Sequence, residues 1–243
     1  MALPILETAT YELTLPSRNV VVKFRPFLVK EEKVLLQALE SNDDVEIKNA
    51  IKEIVNTCTF GQLDASMIPT FDLEYVFLQI RGKSVGEVAN IRLLCPDDKE
   101  TYVTKNVDLS KVEVQVDDEH KNELQLNDKI KVVMKYPTID TVDPKLNVKG
   151  MKTNQVFDMI ANCIQSIYDG EQQHNVNDYT KDDLHKFIES LDRKSFDMIN
   201  KFFETMPQLR HEVEIENPKT KVKSKVVLKG AQDFFVLPSL TTA

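Results

Sequence analysis

The side chains able to do chemistry in this 243-residue chain are few, and their spacing does not serve it. Four histidines, His120, His174, His185 and His211, are dispersed, and none lies in an H-E-x-x-H frame or beside a C-x-x-C pair, so no zinc site is predicted. Cys58, Cys95 and Cys163 are an odd number without C-x-x-C spacing; two of them fall on the apolar faces of predicted helices, which is the pattern of reduced, packed thiols. Six glycines form neither G-x-G-x-x-G nor G-x-x-x-x-G-K-[ST], and no G-x-S-x-G elbow occurs, so phosphate cradling and serine nucleophiles by those routes are excluded. The acidic pairs Asp117-Asp118 and Asp182-Asp183 are adjacent, and neighbours on a regular element point in different directions. The sequence therefore predicts no enzyme, no cofactor and no metal.

Net charge narrows the partners. Thirty-one basic against thirty-nine acidic residues give a formal charge of −8, which opposes attraction to phosphate backbones and anionic membranes. No apolar run approaches the 18 residues of a membrane span, and residues 1–9 lack the basic start and long apolar core of a signal peptide. A protein made and used in a cytoplasm is expected, bound to proteins rather than nucleic acid.

The elements that must carry any binding surface read in order as follows. Leu13 and Leu15 alternate with Glu12 and Thr14, Pro16-Ser17-Arg18-Asn19 supplies a turn, and Val20 to Phe24 resumes a β-branched run, predicting a hairpin that Pro26 ends. From Lys30 the period lengthens to about 3.6, predicting a helix. Asn42-Asp43-Asp44 offers caps to a second helix with Ile47, Ala50, Ile51, Ile54, Val55 and Cys58 in one stripe; Thr70 opens a third, with Gly82 placed to end it. Val88 to Tyr136 reads as a five-strand meander with short polar connections, among them the charged loop Asp117–Asn122. Pro137, Asp143-Pro144, Asn147 and Gly150 mark 137–152 as a linker, dividing the chain into 1–136, 137–152 and 153–243.

Beyond it a helix over 154–168 is predicted, stopped by Gly170, then a polar loop over 171–179. Thr180 with Asp183 resembles a capping box, and Asp192 caps a last helix whose Phe202-Phe203 pair is expected to contact the final strands. Those strands form a hairpin, Leu209–Glu216 and Lys221–Lys229, with rows of Glu and Lys facing each other. The fold class is α+β: antiparallel hairpins and a meander packed with two groups of helices.

The runs Ala9-Thr10-Tyr11-Glu12-Leu13-Thr14-Leu15-Pro16-Ser17 and Lys23-Phe24-Arg25-Pro26-Phe27-Leu28-Val29-Lys30-Glu31-Glu32-Lys33 resemble the N-terminal signature of baseplate hub assembly proteins of T-even-type contractile-tailed phages. The likeness continues through Cys58-Thr59-Phe60-Gly61, Phe71-Asp72-Leu73-Glu74-Tyr75 and Leu78 to Glu87, and ends near Gly230-Ala231-Gln232-Asp233-Phe234-Phe235. It implies a non-enzymatic viral protein that binds other hub proteins in the host cytoplasm during assembly, as virion subunit or as chaperone. Relatives can carry a C-P-x-C knuckle; the corresponding turns here are Cys95-Pro96-Asp97-Asp98 and Asn217-Pro218-Lys219-Thr220, with one cysteine between them, which implies that any metal has been lost. The expected contact residues are Phe234, Phe235, Lys221, Lys223 and Lys225. The alternative is a ligand- or nucleic-acid-binding module in which the 88–136 strands close into a small barrel.

Overall fold

The computed structural model describes residues 7–41, 43–141 and 153–230. Among them six α-helices and eleven strands occur, all paired antiparallel, and the α+β class holds. Two compact units divide the chain: residues up to Gln115 together with those from Gln208 form one, Val116–Pro207 the other.

In the first unit β1 (Tyr11–Thr14) and β2 (Val21–Phe24) form the expected hairpin, burying Leu13, Leu15, Val22 and Phe24. Helices α1 (Val29–Ser41), α2 (Asp44–Cys58) and α3 (Thr70–Val85) follow. Asp43 caps α2, accepting from Val45 N–H at 2.8 Å. Helix α3 runs through Gly82, which keeps a negative φ; the stop is Gly86, at φ 113°, a conformation that only glycine adopts freely.

Next come β3 (Val88–Leu94) and β4 (Tyr102–Asp108), a two-stranded hairpin, and β5 (Glu113–Gln115). The segment 88–136 is not one meander. Strand β5 pairs with β10 (Gln208–Glu216), whose other neighbour is β11 (Lys223–Lys229), giving a sheet ordered β11-β10-β5, and the strands after Gln115 belong to the second unit. These strands lie in three sheets, so they do not close into a single barrel. Ala89, Ile91, Leu93 and Val107 of the β3–β4 hairpin pack with Leu209, Val213, Ile215 and Leu228 of the sheet, and Leu78 of α3 joins them. Gly230 (φ 69°) turns the chain beside α3, where an added Cβ would lie 3.2 Å from Glu74 Oε1.

Three turns of this unit share one shape. In Leu15–Val20, Cys95–Thr101 and Asn217–Val222 the first residue precedes proline and its carbonyl accepts the N–H four residues on, from Asn19, Lys99 and Lys221 at 2.8, 3.0 and 2.8 Å. Each donor has positive φ, 52°, 56° and 62°, outside the range that lysine prefers. The proline fixes entry to each turn, and the left-handed residue returns the chain to the second strand.

The second unit is built on a four-stranded sheet, β6-β7-β8-β9, with β6 at Glu123–Gln125, β7 at Ile130–Met134, β8 at Ile164–Asp169 and β9 at Gln172–Asn175. Strand β7 pairs with β8, so chain from both sides of 137–152 shares one sheet. The predicted 154–168 helix is shorter: α4 covers Thr153–Cys163, and Ile164 enters β8 directly. Gly170 (φ 61°) turns the β8–β9 hairpin, and part of the expected 171–179 loop is strand β9. Helices α5 (Lys181–Glu189) and α6 (Arg193–Thr205) start where predicted, with the reciprocal Thr180–Asp183 box and Asp192 accepting from Ser195 N–H.

Phe202 and Phe203 pack into this unit's own core, which corrects the expectation that they meet the final strands. His120, in the loop read as merely charged, is half-buried against Phe202, with ring centroids 5.2 Å apart. Thr205 O–H donates to Lys201 O at 2.7 Å, which leaves Thr205 Oγ1 to accept from His120 Nδ1–H at 2.9 Å, and His120 Nε2 is hydrogen-bonded with the Tyr136 hydroxyl at 3.0 Å. Burial lowers the His120 pKa below the usual histidine value, against the opposing pull of Asp117. Burial thus favours the neutral ring in the folded state. Stability from this group is complete above about pH 6.5 and falls as pH drops toward the lowered folded pKa, because the unfolded chain binds the proton first. Urea midpoints measured between pH 5 and 7.5 are expected to decline on the acid side, and His120→Gln to flatten that decline.

Candidate partner-binding site

The residues that carry the family likeness are polar fasteners of the first unit. Ser17, in the first turn, donates from N–H (3.1 Å) and from Oγ to the fully buried carboxylate of Asp72 at the start of α3. Burial raises the Asp72 pKa, and the Ser17 bonds oppose the rise. Arg25 N–H donates to Cys58 O at 2.9 Å, and its guanidinium donates to Glu31 at 2.8 Å, with both side chains about nine-tenths buried. Glu31 also accepts from Leu28 N–H at 2.7 Å, the carboxylate half of a capping box for α1. Phe27 N–H donates to Ser84 Oγ at 2.9 Å. Motifs spread over 70 residues therefore meet because each satisfies the main chain of another.

The two turns matched to the knuckle also meet. Asn217 Nδ2 donates to Asp97 Oδ1 and Oδ2 at 3.1 and 3.0 Å, Thr220 Oγ1 donates to Asp97 Oδ2, and Asn217 Oδ1 accepts from Lys219 N–H at 2.9 Å. Thr220 and Asn217 hold the Asp97 carboxyl below the usual carboxylate range. Asn217 is 1% exposed, Cys95 is buried, and no group of three or more metal-ligating side chains forms among the described residues. Asn217→Ala is expected to cost about 1–3 kcal/mol, since it strands the Lys219 N–H and removes the amide's two hydrogen bonds to Asp97, leaving that of Thr220. Chemical denaturation measures the cost, and amide exchange in 95–101 and 217–222 should rise together.

The thiols are not poised to react: burial pushes Cys58 up to about 11 and Cys163 up to about 12. Asp158 of α4 stands 2.8 Å from both Lys181 Nζ and His185 Nε2 of α5. One carboxylate shared between Lys181 and His185 fastens α4 to α5.

Of the predicted contact residues, Phe234 and Phe235 lie outside the described residues. Lys221, Lys223 and Lys225 are exposed on and before β11. Lys223 lies opposite Glu216 and Lys225 opposite Glu214, and Lys225 Nζ reaches the diagonal Glu212 at 2.6 Å, which raises its pKa. An open groove of about 500 Å³ runs beside this strand, lined by Lys105 of β4, Ile215 of β10, and Lys223, Ser224 and Lys225 of β11, with Glu214 and Glu216. The nearness of β4 to this edge was not legible in the sequence.

The polar groups of these motifs thus fasten hairpins and turns, and lysines and glutamates are displayed along β10 and β11. The chain belongs to the T4 bacteriophage base plate protein family, whose sequence model matches residues 8–236. Comparison with curated proteins and with solved structures gives no match. It is thus a phage baseplate protein, of a family whose role is structural.

Proposed function

We propose that this chain helps assemble the hub of the tail baseplate by binding other hub proteins, either as a resident subunit or as a chaperone that leaves. The family match over residues 8–236 carries this reading. The lysines on and just before β11 and the Phe234-Phe235 segment that follows Gly230 supply the contact: Lys221, Lys223 and Lys225 for steering and register, the phenylalanines as apolar anchors.

Quantitative mass spectrometry of purified particles against infected-cell lysate tests it. Stoichiometric presence in particles supports the subunit, and abundance in lysate together with absence from particles supports the chaperone. Absence from both sinks the reading. Phe234→Ala and Phe235→Ala, made singly, are expected to leave the fold intact and weaken co-purification with baseplate proteins in at least one case; unfolding of both would remove the docking role.

A further inference from the structure

We infer that the outer edge of β3 takes up an extended segment of a partner protein as a third strand of the β3–β4 hairpin, with a carboxylate of that segment seated on Arg92. This goes beyond the docking role proposed for β11 and uses a different strand. The hairpin is a two-stranded sheet, so β3 has a neighbour on one side, and among the described residues none pairs with its other side. Cys95 N–H donates to Thr101 O at 2.8 Å, and Leu109 N–H to Glu87 O at 2.7 Å. With the unbroken register from Val88 opposite Asp108 to Leu94 opposite Tyr102, these bonds fix the alternation: Ala89, Ile91 and Leu93 turn their main-chain groups toward β4, and Asn90, Arg92 and Leu94 turn theirs outward. The same three outward residues are exposed, while Ala89, Ile91 and Leu93 are buried. A strand of seven residues without proline, bulge or lysine is a template for strand addition.

The chemistry at the centre of the edge selects what adds. Arg92 is the one charged residue of Val88–Leu94. It lies opposite Thr104, and among the described residues no carboxylate pairs with it. Asp108, the acid at the far end of the same hairpin face, is 3.3 Å from Lys111 Nζ. Arg92 Cζ stands 4.3 Å from the centroid of the Tyr102 ring, and Tyr102 is 50% exposed. Stacking occupies a flat face of the guanidinium and leaves its in-plane N–H donors for a carboxylate, which arginine takes in the bidentate manner. In a strand added to β3, the residue opposite Arg92 presents its side chain on this same face. Glu or Asp there pairs with Arg92, while a neutral polar residue suits Asn90 and an apolar one Leu94. A second copy of β3 brings no acid, since Val88–Leu94 has none. The occupant is therefore an extended, mostly uncharged strand of another protein with one acid at its centre.

The test uses the full-length, ¹⁵N-labelled chain and a nonapeptide of alternating Thr and Val with Glu in place of the central Thr. Peptides with Gln or Lys at that place are the controls. At saturation the Glu peptide is expected to slow amide exchange at Asn90, Arg92 and Leu94 about tenfold, and to bind about tenfold more tightly than the Gln peptide, with the Lys peptide weaker still. Arg92→Glu should reverse the ranking, so that the Lys peptide binds best; a retained preference for Glu overturns the role of Arg92. Asn90→Pro, which deletes an outward N–H while sparing the β4 ladder, should abolish the slowing at Arg92 and Leu94. Unaltered exchange at Ile91 and Leu93 verifies that the hairpin persists. The inference falls if the three amides are already protected in the free protein, or if the three peptides bind alike. It falls too if protection grows with protein concentration alone, which makes a second copy the occupant. Exchange slowed by none of the peptides also rejects it, and leaves Arg92 as a charge that guards the edge.

Discussion

Arg25→Ala is expected to destabilise the first unit by about 3–5 kcal/mol, a large part of what a domain of this kind has in reserve. The guanidinium is the counter-charge of Glu31, whose side chain is 7% exposed. Burial alone would push the Glu31 carboxyl up, but the hydrogen bonds from Arg25 and Leu28 N–H outweigh it and hold the group below its usual range. Deleting Arg25 leaves the carboxylate buried with the Leu28 bond and the exposed Lys30, 3.4 Å away, as its remaining support. Glu31 should then titrate upward. In the wild type its contribution is present above the ordinary glutamate pKa and is lost as pH falls through the lowered folded value; in Arg25→Ala that acid-side loss should shrink because the stabilisation is already gone. Urea unfolding at pH 4 and pH 7 measures both effects. Arg25→Ala/Glu31→Met should recover much of the loss, since an apolar pair leaves no charge buried, and a double variant as unstable as the single one would assign the cost to packing.

Where local signals decide the structure, the sequence was readable. The hairpin at Tyr11–Phe24, the caps Asp43, Thr180 and Asp192, and the turn Asn217–Thr220 depend on residues within a few positions of each other, and all formed as expected. The 154–168 segment misled because Ile164 and Ile167 extend the α4 stripe, while Ile164 and Ser166, both buried, equally fit the inward positions of β8. A short apolar run satisfies both periods, and the choice was made by pairing with β7, on the far side of 137–152. The β5–β10 pairing is likewise invisible to any local window. The polar strand β9, Gln-Gln-His-Asn, carries no β signal and exists because β8 offers it an edge.

The candidate site divides in the same manner. The lysine alternation of β11 and its facing glutamates are period-two patterns and were legible. That Lys105 would line the same groove depends on packing between a local hairpin and a non-local sheet. Likeness to a family singled out the Cys95 and Asn217 turns but not their meeting; the Asn–Asp–Thr hydrogen-bond cluster that joins them is visible only with both turns in place.

Phe202→Ala is expected to cost about 3–5 kcal/mol and also to change how the second unit responds to acid. The ring is 1% exposed and is surrounded by aromatic groups: Tyr136 stacks at 5.8 Å between centroids, Phe203 meets it edge-on at 5.1 Å, and His120 lies at 5.2 Å. Truncation opens a cavity that these rings cannot fill without leaving the Thr205–His120–Tyr136 hydrogen bonds. Water entering there would relieve the burial that keeps His120 neutral, so its pKa should move back toward the ordinary histidine value and the stability loss below about pH 6.5 should shrink. Denaturant unfolding gives the first quantity and an NMR titration of the His120 ring gives the second. Large destabilisation with an unmoved His120 pKa would show that Phe202 only fills space; movement of both would tie the core of α6 to the loop before β6, which the sequence marked only as charged.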